Sequence, residues 1–188
     1  IIKNSIQRLD SMGPINWCGY SYAWLANLKA RAKDGIGATK ALTIFANAFC
    51  SSNSFHLNGD QTKSGYSGFT YRPFTLEGNF AFAAGVQEML LQSYQGFIEV
   101  MPAVPTAWKD VSFNQLRAEG AFVVSAKKIN GKLKQVVIVS EKGGLLTLKN
   151  PFIKYTYQKL NGVQITSTDE KFIKIKFKPN AKITLESY

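Results

Sequence analysis

Between Gly96 and Val111 the spacing of apolar residues along this chain changes, and the change limits the available folds more than any single motif does. Up to Ser93 the apolar positions recur every three to four residues, as on one side of a helix; from about Val111 they alternate, as on one face of a strand. No single class of secondary structure fits both halves. The expected organisation is α+β, with a helical part over residues 1–95, a junction over 96–110 and an antiparallel β part over 111–188. At 188 residues and 45% apolar content, the chain can form one large domain or two small ones and can bury a real core.

In the first half, "YSYAWLANLKARA" spaces Tyr20, Trp24, Leu28 and Ala32 four apart and predicts a helix that starts at Gly19 or Ser21. Trp24 is expected in the core, whereas Trp17 and Tyr20, ahead of the regular helix, suit a platform facing a ligand. Asp34-Gly35 closes that helix, and "GATKALTIFANAF" predicts a second with Ala38, Leu42, Phe45 and Phe49 on one face. The short connection makes the two antiparallel neighbours. A third helix is expected from Asn79 to Ser93, apolar almost all round and so buried among others. Three helices are few for a free-standing helical domain. This part is expected either to pack on the β part or to end a larger helical array.

The second half contains strand-length runs, "AFVVSAKK", "LKQVVIVS", "LLTLKN", "IKYTYQK", "VQITS", "FIKIKFK" and "KITLES", separated by Asn-Gly, Gly-Gly, Asn-Pro and Pro-Asn turns. In "KFIKIKFKP", Ile173, Ile175 and Phe177 face inward and Lys174, Lys176 and Lys178 face water. Residues 111–188 hold 14 of the 23 Lys and Arg but only 5 of the 12 Asp and Glu, so most of the net charge of +11 lies there. Thirteen of those cations are lysines placed singly between apolar residues, the pattern of solvated strand faces and not of an arginine groove for phosphates. A nucleic-acid partner is therefore not expected. Neither is a membrane span, since no run of about 18 uncharged apolar residues occurs. The start, "IIKNSIQRLDSMGP", lacks the charged-then-apolar layout of a signal peptide. Cys18 and Cys50 are read as buried free thiols, and with the single His56 they point to no metal site.

Residues 51–78 form a long connection whose density of aromatics argues for order. Within it, "NSFHLNGDQTKSG" clusters Asn53, His56, Asn58, Asp60 and Gln61. Asn58-Gly59-Asp60 reads either as a tight turn with an Asx-type hydrogen bond or as a polar wall of a carbohydrate pocket. "SGFTYRPF" adds aromatic faces and an arginine, which suit stacking on a sugar ring and bonding its hydroxyls. Glu77, at the start of the third helix, is either an acid favoured by the helix dipole or a working carboxylate that binds or deprotonates water.

These stretches together resemble the C-terminal portion of family 95 glycoside hydrolases, the group of inverting α-L-fucosidases and α-L-galactosidases. "GYSYAWLANLKARAKDG" is similar to the family's Gly-Trp-Ser-x-Ala-Trp helix, and "YRPFTLEGNFAFAAGVQEMLLQS" to its His-Pro-Pro-Phe-Gln-Ile-Asp-Gly-Asn-Phe segment. "IEVMPAVPTAW" and "LRAEGAFVVS" resemble the exit into its C-terminal β domain. The resemblance implies the last helices of an (α/α)6-type barrel followed by a small antiparallel β-sandwich, with the upstream part of the same polypeptide as partner. It implies a carbohydrate substrate, no cofactor, and a secreted or periplasmic enzyme. It places Glu77 where the family has a water-activating aspartate, and the general acid and two asparagines upstream. Trp17, His56, Asn58, Asp60, Tyr71, Arg72 and Asn79 are the candidate substrate-binding residues. Two departures stand out: Glu77 is one methylene longer than aspartate, and Tyr71 replaces a histidine. The competing reading is a non-catalytic carbohydrate-binding or structural module.

Overall fold

The computed structural model describes residues 2–159 and 161–188. It contains four helices, α1 (Ile2–Met12), α2 (Gly19–Arg31), α3 (Gly35–Ala48) and α4 (Glu77–Leu90), then antiparallel strands. Two compact units result, one of residues 1–89 and 102–105, the other of residues 90–101 and 106–188.

In the helical unit, α2 and α3 pack through small residues. Ala26, Ala30, Ala38, Ala41 and Leu42 share one cluster with Met89 of α4, and Tyr22, Ala23, Phe45, Ala48 and Phe49 share a second. The early part of α2 thus meets the late part of α3, the antiparallel pairing expected from the short connection. Asp34 begins α3 by accepting a hydrogen bond from the Gly37 N–H at 2.8 Å, which satisfies one of the free donors of its first turn. Helix α1 is not anticipated by the sequence reading. Ile2, Ile6 and Leu9 fall on one face of it, with Ile6 buried and Leu9 packed against the same cluster.

Three sequence expectations need correction. Trp24 is 45% exposed, because the alanines of α2 make the helix contacts and its stripe of large residues, Tyr20 and Trp24, faces outward. Helix α4 is not covered on all sides: only Gly78, Gly85 and Met89 are buried, and Phe80 is 66% exposed. The cysteines are free but half-buried, not buried.

The second unit holds three sheets. Strands β1 (Leu91–Gln92) and β2 (Glu99–Val100) pair with each other. A five-stranded sheet has the order β3-β4-β5-β10-β7, from Val111–Ala118, Phe122–Ile129, Lys132–Ser140, Ala181–Ser187 and Tyr155–Lys159. A three-stranded sheet has the order β6-β9-β8, from Gly144–Lys149, Phe172–Phe177 and Val163–Thr168. Asn130 and Gly131, both at positive φ, form the two-residue hairpin that sets Ile129 opposite Lys132. Both larger sheets contribute to one core, including Val124, Val136, Ile138, Leu148, Ile173, Ile175, Ile183 and Leu185. On β9 the alternation is as expected, with Ile173 and Ile175 sealed and Lys174 and Lys176 exposed. Among the described residues, no helix is long and apolar enough to cross a membrane.

This alternation yields a paired prediction. Ile175→Ala should cost about 2–5 kcal/mol through lost transfer energy and the cavity left behind, whereas Lys176→Ala should stay within about 0.5 kcal/mol of wild type. Urea unfolding of the two variants is the measurement.

Candidate active site

The connection between α3 and α4 is ordered by hydrogen bonds directed inward. Asp60 is buried, and its carboxylate accepts from Thr62 N (2.8 Å), Thr62 Oγ1 (2.7 Å), Lys63 N (3.1 Å) and Tyr66 N (3.1 Å). The Asx-type turn expected from the sequence is therefore present, and it winds residues 60–66 around one acid. Burial opposes ionisation of Asp60, but these donors outweigh it and hold its pKa below the ordinary carboxylate value. Beside it, Tyr22 donates from its hydroxyl to Tyr66 O at 2.7 Å. Burial, and then the charge of Asp60, push the Tyr22 pKa up to about 12.

His56 is fully enclosed, with no exposed surface. Its ring lies between the first residue of α2 and the second of α4, Gly19 and Gly78, where an added Cβ on either glycine would collide with it. Phe45 lies against the ring at 5.1 Å between centroids. Nδ1 is 2.7 Å from Thr75 O and 2.7 Å from Thr75 Oγ1, while Nε2 is buried without a hydrogen-bond partner. Desolvation lowers the imidazole pKa, against the opposing hydrogen bond to Thr75 and the charge of Glu77, which raise it. Asn79 joins the same knot: its Oδ1 accepts from His56 N at 2.9 Å and its Nδ2 donates to Ser54 O at 2.8 Å.

Glu77 stands on the other side of this knot, exposed, as the first residue of α4. It lines an open cavity of about 490 Å³ with Tyr20, Trp24, Asn27, Arg31 and Phe80. Asn27 Nδ2 ties the two helices of this wall together by donating to Ala23 O and to Ala81 O, both at 2.9 Å. Arg31 pairs with Glu88 at 3.0 Å. A carboxylate over an apolar, aromatic floor can orient a water and take its proton, while the aromatic faces can stack on a sugar ring.

The remaining sequence candidates lie elsewhere in this unit. Tyr71 is exposed and set edge-on to Phe69 at 5.5 Å, and Arg72 Nη1 donates to Gln61 Oε1 at 2.8 Å. Asn58 accepts from Gly19 N at 3.1 Å through its carbonyl. Trp17 packs edge-on against Tyr22 at 5.2 Å and lines a separate cavity of about 290 Å³ with Leu9, Pro14 and Lys29. Of the candidates, Glu77 and the platform residue Tyr20 line the larger cavity. Trp24, Asn27, Arg31 and Phe80 were not singled out as site residues. The pairing of a large apolar stripe with a small one on α2 is the signal that could have identified Trp24.

Comparison with known proteins follows the division of the chain. Residues 3–90 match the glycosyl hydrolase family 95 catalytic domain, and residues 92–185 match the glycoside hydrolase family 95 C-terminal domain. A relative, Alpha-L-fucosidase 2 of Arabidopsis thaliana, is 30% identical over 142 residues. That match takes in 75% of this chain but only 16% of the relative's length.

The turn around Asp60 carries a pH-dependent prediction. Because the folded pKa is depressed, the stabilisation is complete above the unfolded value of about 3.9. It is lost as pH falls through the folded value. Asp60→Asn should cost about 1.5–3 kcal/mol at neutral pH, and its deficit against wild type should shrink toward pH 3. Urea midpoints measured across that range check both statements.

Proposed function

Since the chain belongs to glycoside hydrolase family 95, we propose that it forms the closing portion of a catalytic domain whose remainder lies upstream in a longer polypeptide. On this reading residues 1–95 end an (α/α)6-type barrel, 96–110 form the junction, and 111–188 form a C-terminal β-sandwich. The substrate class is α-L-fucosides or related α-L-sugars. The observation that carries the reading is Glu77, a carboxylate at the start of a helix whose apolar face is open, beside a cavity floored by Trp24 and Phe80.

The reaction is hydrolysis with inversion. Glu77 is the base that takes a proton from water as the water attacks the anomeric carbon, while an acid from the upstream part protonates the leaving oxygen on the opposite face. The two carboxyls of such a pair stand about 6.5–9.5 Å apart, which leaves room for the water. The extra methylene of Glu77, relative to aspartate, moves the base outward unless the wall behind it recedes. Tyr71 and Arg72 are the sugar-facing residues of the connection. His56, Asn58, Asp60 and Asn79 support the connection from within, and Trp17 offers its surface at the separate cavity. Residues 1–188 alone hold half of this machinery and are inactive.

The alternative, a non-catalytic carbohydrate-binding module, calls for an aromatic platform on the β unit. Most of the exposed aromatics lie in the helical unit, Tyr20, Trp24 and Phe80 around Glu77 among them, while Tyr94, Trp108, Tyr157 and Tyr188 are scattered along the sequence of the β unit. That distribution favours the enzyme reading.

Expression of the complete polypeptide and assay on a panel of aryl glycosides tests the proposal. Turnover of an aryl α-L-fucoside or α-L-galactoside is expected, with Glu77→Gln lowering kcat by about 10²–10⁴-fold. Unchanged turnover in the variant would remove Glu77 from the mechanism, and turnover by the 188-residue chain alone would contradict the split site.

A further inference from the structure

We infer that His56 is a positioning residue: its neutral imidazole, protonated at Nδ1, fixes the backbone on both sides of Glu77 and thereby aims a carboxylate that it does not touch. The catalytic consequence rests on the assignment of Glu77 as the base; the geometric part does not.

Glu77 needs such a device. Its carboxylate is exposed, and no hydrogen bond or ion pair holds it among the described residues. Its direction is therefore set by the backbone that carries it. That backbone is tied to His56 before and after the acid. Two residues ahead of Glu77, Thr75 O meets Nδ1 at 2.7 Å, and Thr75 N donates to His56 O at 3.3 Å. One residue after it, Gly78 lies directly against the ring, where nothing larger than hydrogen fits. Two residues after it, Asn79 Oδ1 accepts from His56 N at 2.9 Å. One side chain and its own main chain thus hold Thr75, Gly78 and Asn79.

The chemistry of the ring selects one protonation state. Thr75 O can only accept, so Nδ1 carries the hydrogen. Thr75 Oγ1 is then free to turn its own hydrogen toward Asn58 Oδ1, 3.5 Å away. Nε2 lies buried against Gly19 with no partner. A lone pair is tolerated there, whereas an N–H would be a buried donor with nothing to bond. Moving the hydrogen to Nε2, or adding a second one, would both break the contact to Thr75 or strand a donor. Of the groups around the ring, Phe45 and Phe49 of the α3 end and Gly19 of α2 are uncharged, and Glu77 is the charged group whose field reaches it.

His56 is the only histidine in the chain, so its imidazole signals are unambiguous. Nitrogen-15 imidazole NMR of the 188-residue chain at pH 7 should show a neutral ring protonated at Nδ1. Titration should give a pKa below about 6.5, and Glu77→Gln should lower it further by removing a neighbouring negative charge. A ring protonated at Nε2, or charged at pH 7, would overturn the inference whether or not the complete protein hydrolyses glycosides. In the complete polypeptide, His56→Ala should lower kcat by about 100-fold with KM within about twofold, the signature of a misplaced group. His56→Asn, whose amide can donate from the position of Nδ1, should recover most of that loss. Equal activity of the Ala and Asn variants would contradict the positioning role. If the wild-type polypeptide proves inactive, the proposed function fails and the NMR result alone decides the geometry.

Discussion

The structure of the helical unit depends on one enclosed imidazole. Burying a polar ring is costly unless its donor is used, and His56 uses its donor on Thr75 while both glycine neighbours give it room. The ring thereby joins the start of α2, the end of α3 through Phe45 and Phe49, and the start of α4. These contacts are long-range in sequence and local in space. Because α4 is held at its beginning, the first acid of that helix acquires a defined place even though its side chain has no partner. A rigid support for a solvent-facing group is the arrangement that catalytic carboxylates require.

Much of this fold is legible in the sequence, and the exceptions share a cause. The change of period near residue 100, the Asn130-Gly131 hairpin and the inward isoleucines of β9 follow from local pattern, because a strand's two faces meet such different surroundings. Trp24 departs from its expected place because size is a poor guide to burial when alanines make the helix contacts. Helix α1 was legible too, since Ile2, Ile6 and Leu9 recur at helical spacing, but the sequence reading makes no use of that stripe. The Asp60 turn is legible because its four donors all come from within the next six residues. His56 could not be placed from its surroundings in sequence. A histidine in a Ser- and Asn-rich connection looks exposed, and its burial comes from Gly19 and Gly78, which the chain brings to it from either side.

On the proposed reading, the open face of α2 and α4 is where electrostatics and packing meet. Phe80 and Trp24 present apolar surface to solvent in this chain, and Glu77 sits among them with its charge hydrated. Covering that face would bury the aromatics and strip water from the carboxylate together.

The most direct test is a structure of the complete polypeptide with a non-hydrolysed α-L-fucoside or α-L-galactoside bound. The account predicts a water within about 3 Å of the Glu77 carboxylate and facing the anomeric carbon, with a second carboxyl about 6.5–9.5 Å from Glu77 on the opposite side of the sugar. A sugar bound away from the α2 and α4 face, or Glu77 pointing to bulk solvent with another residue holding that water, would contradict it.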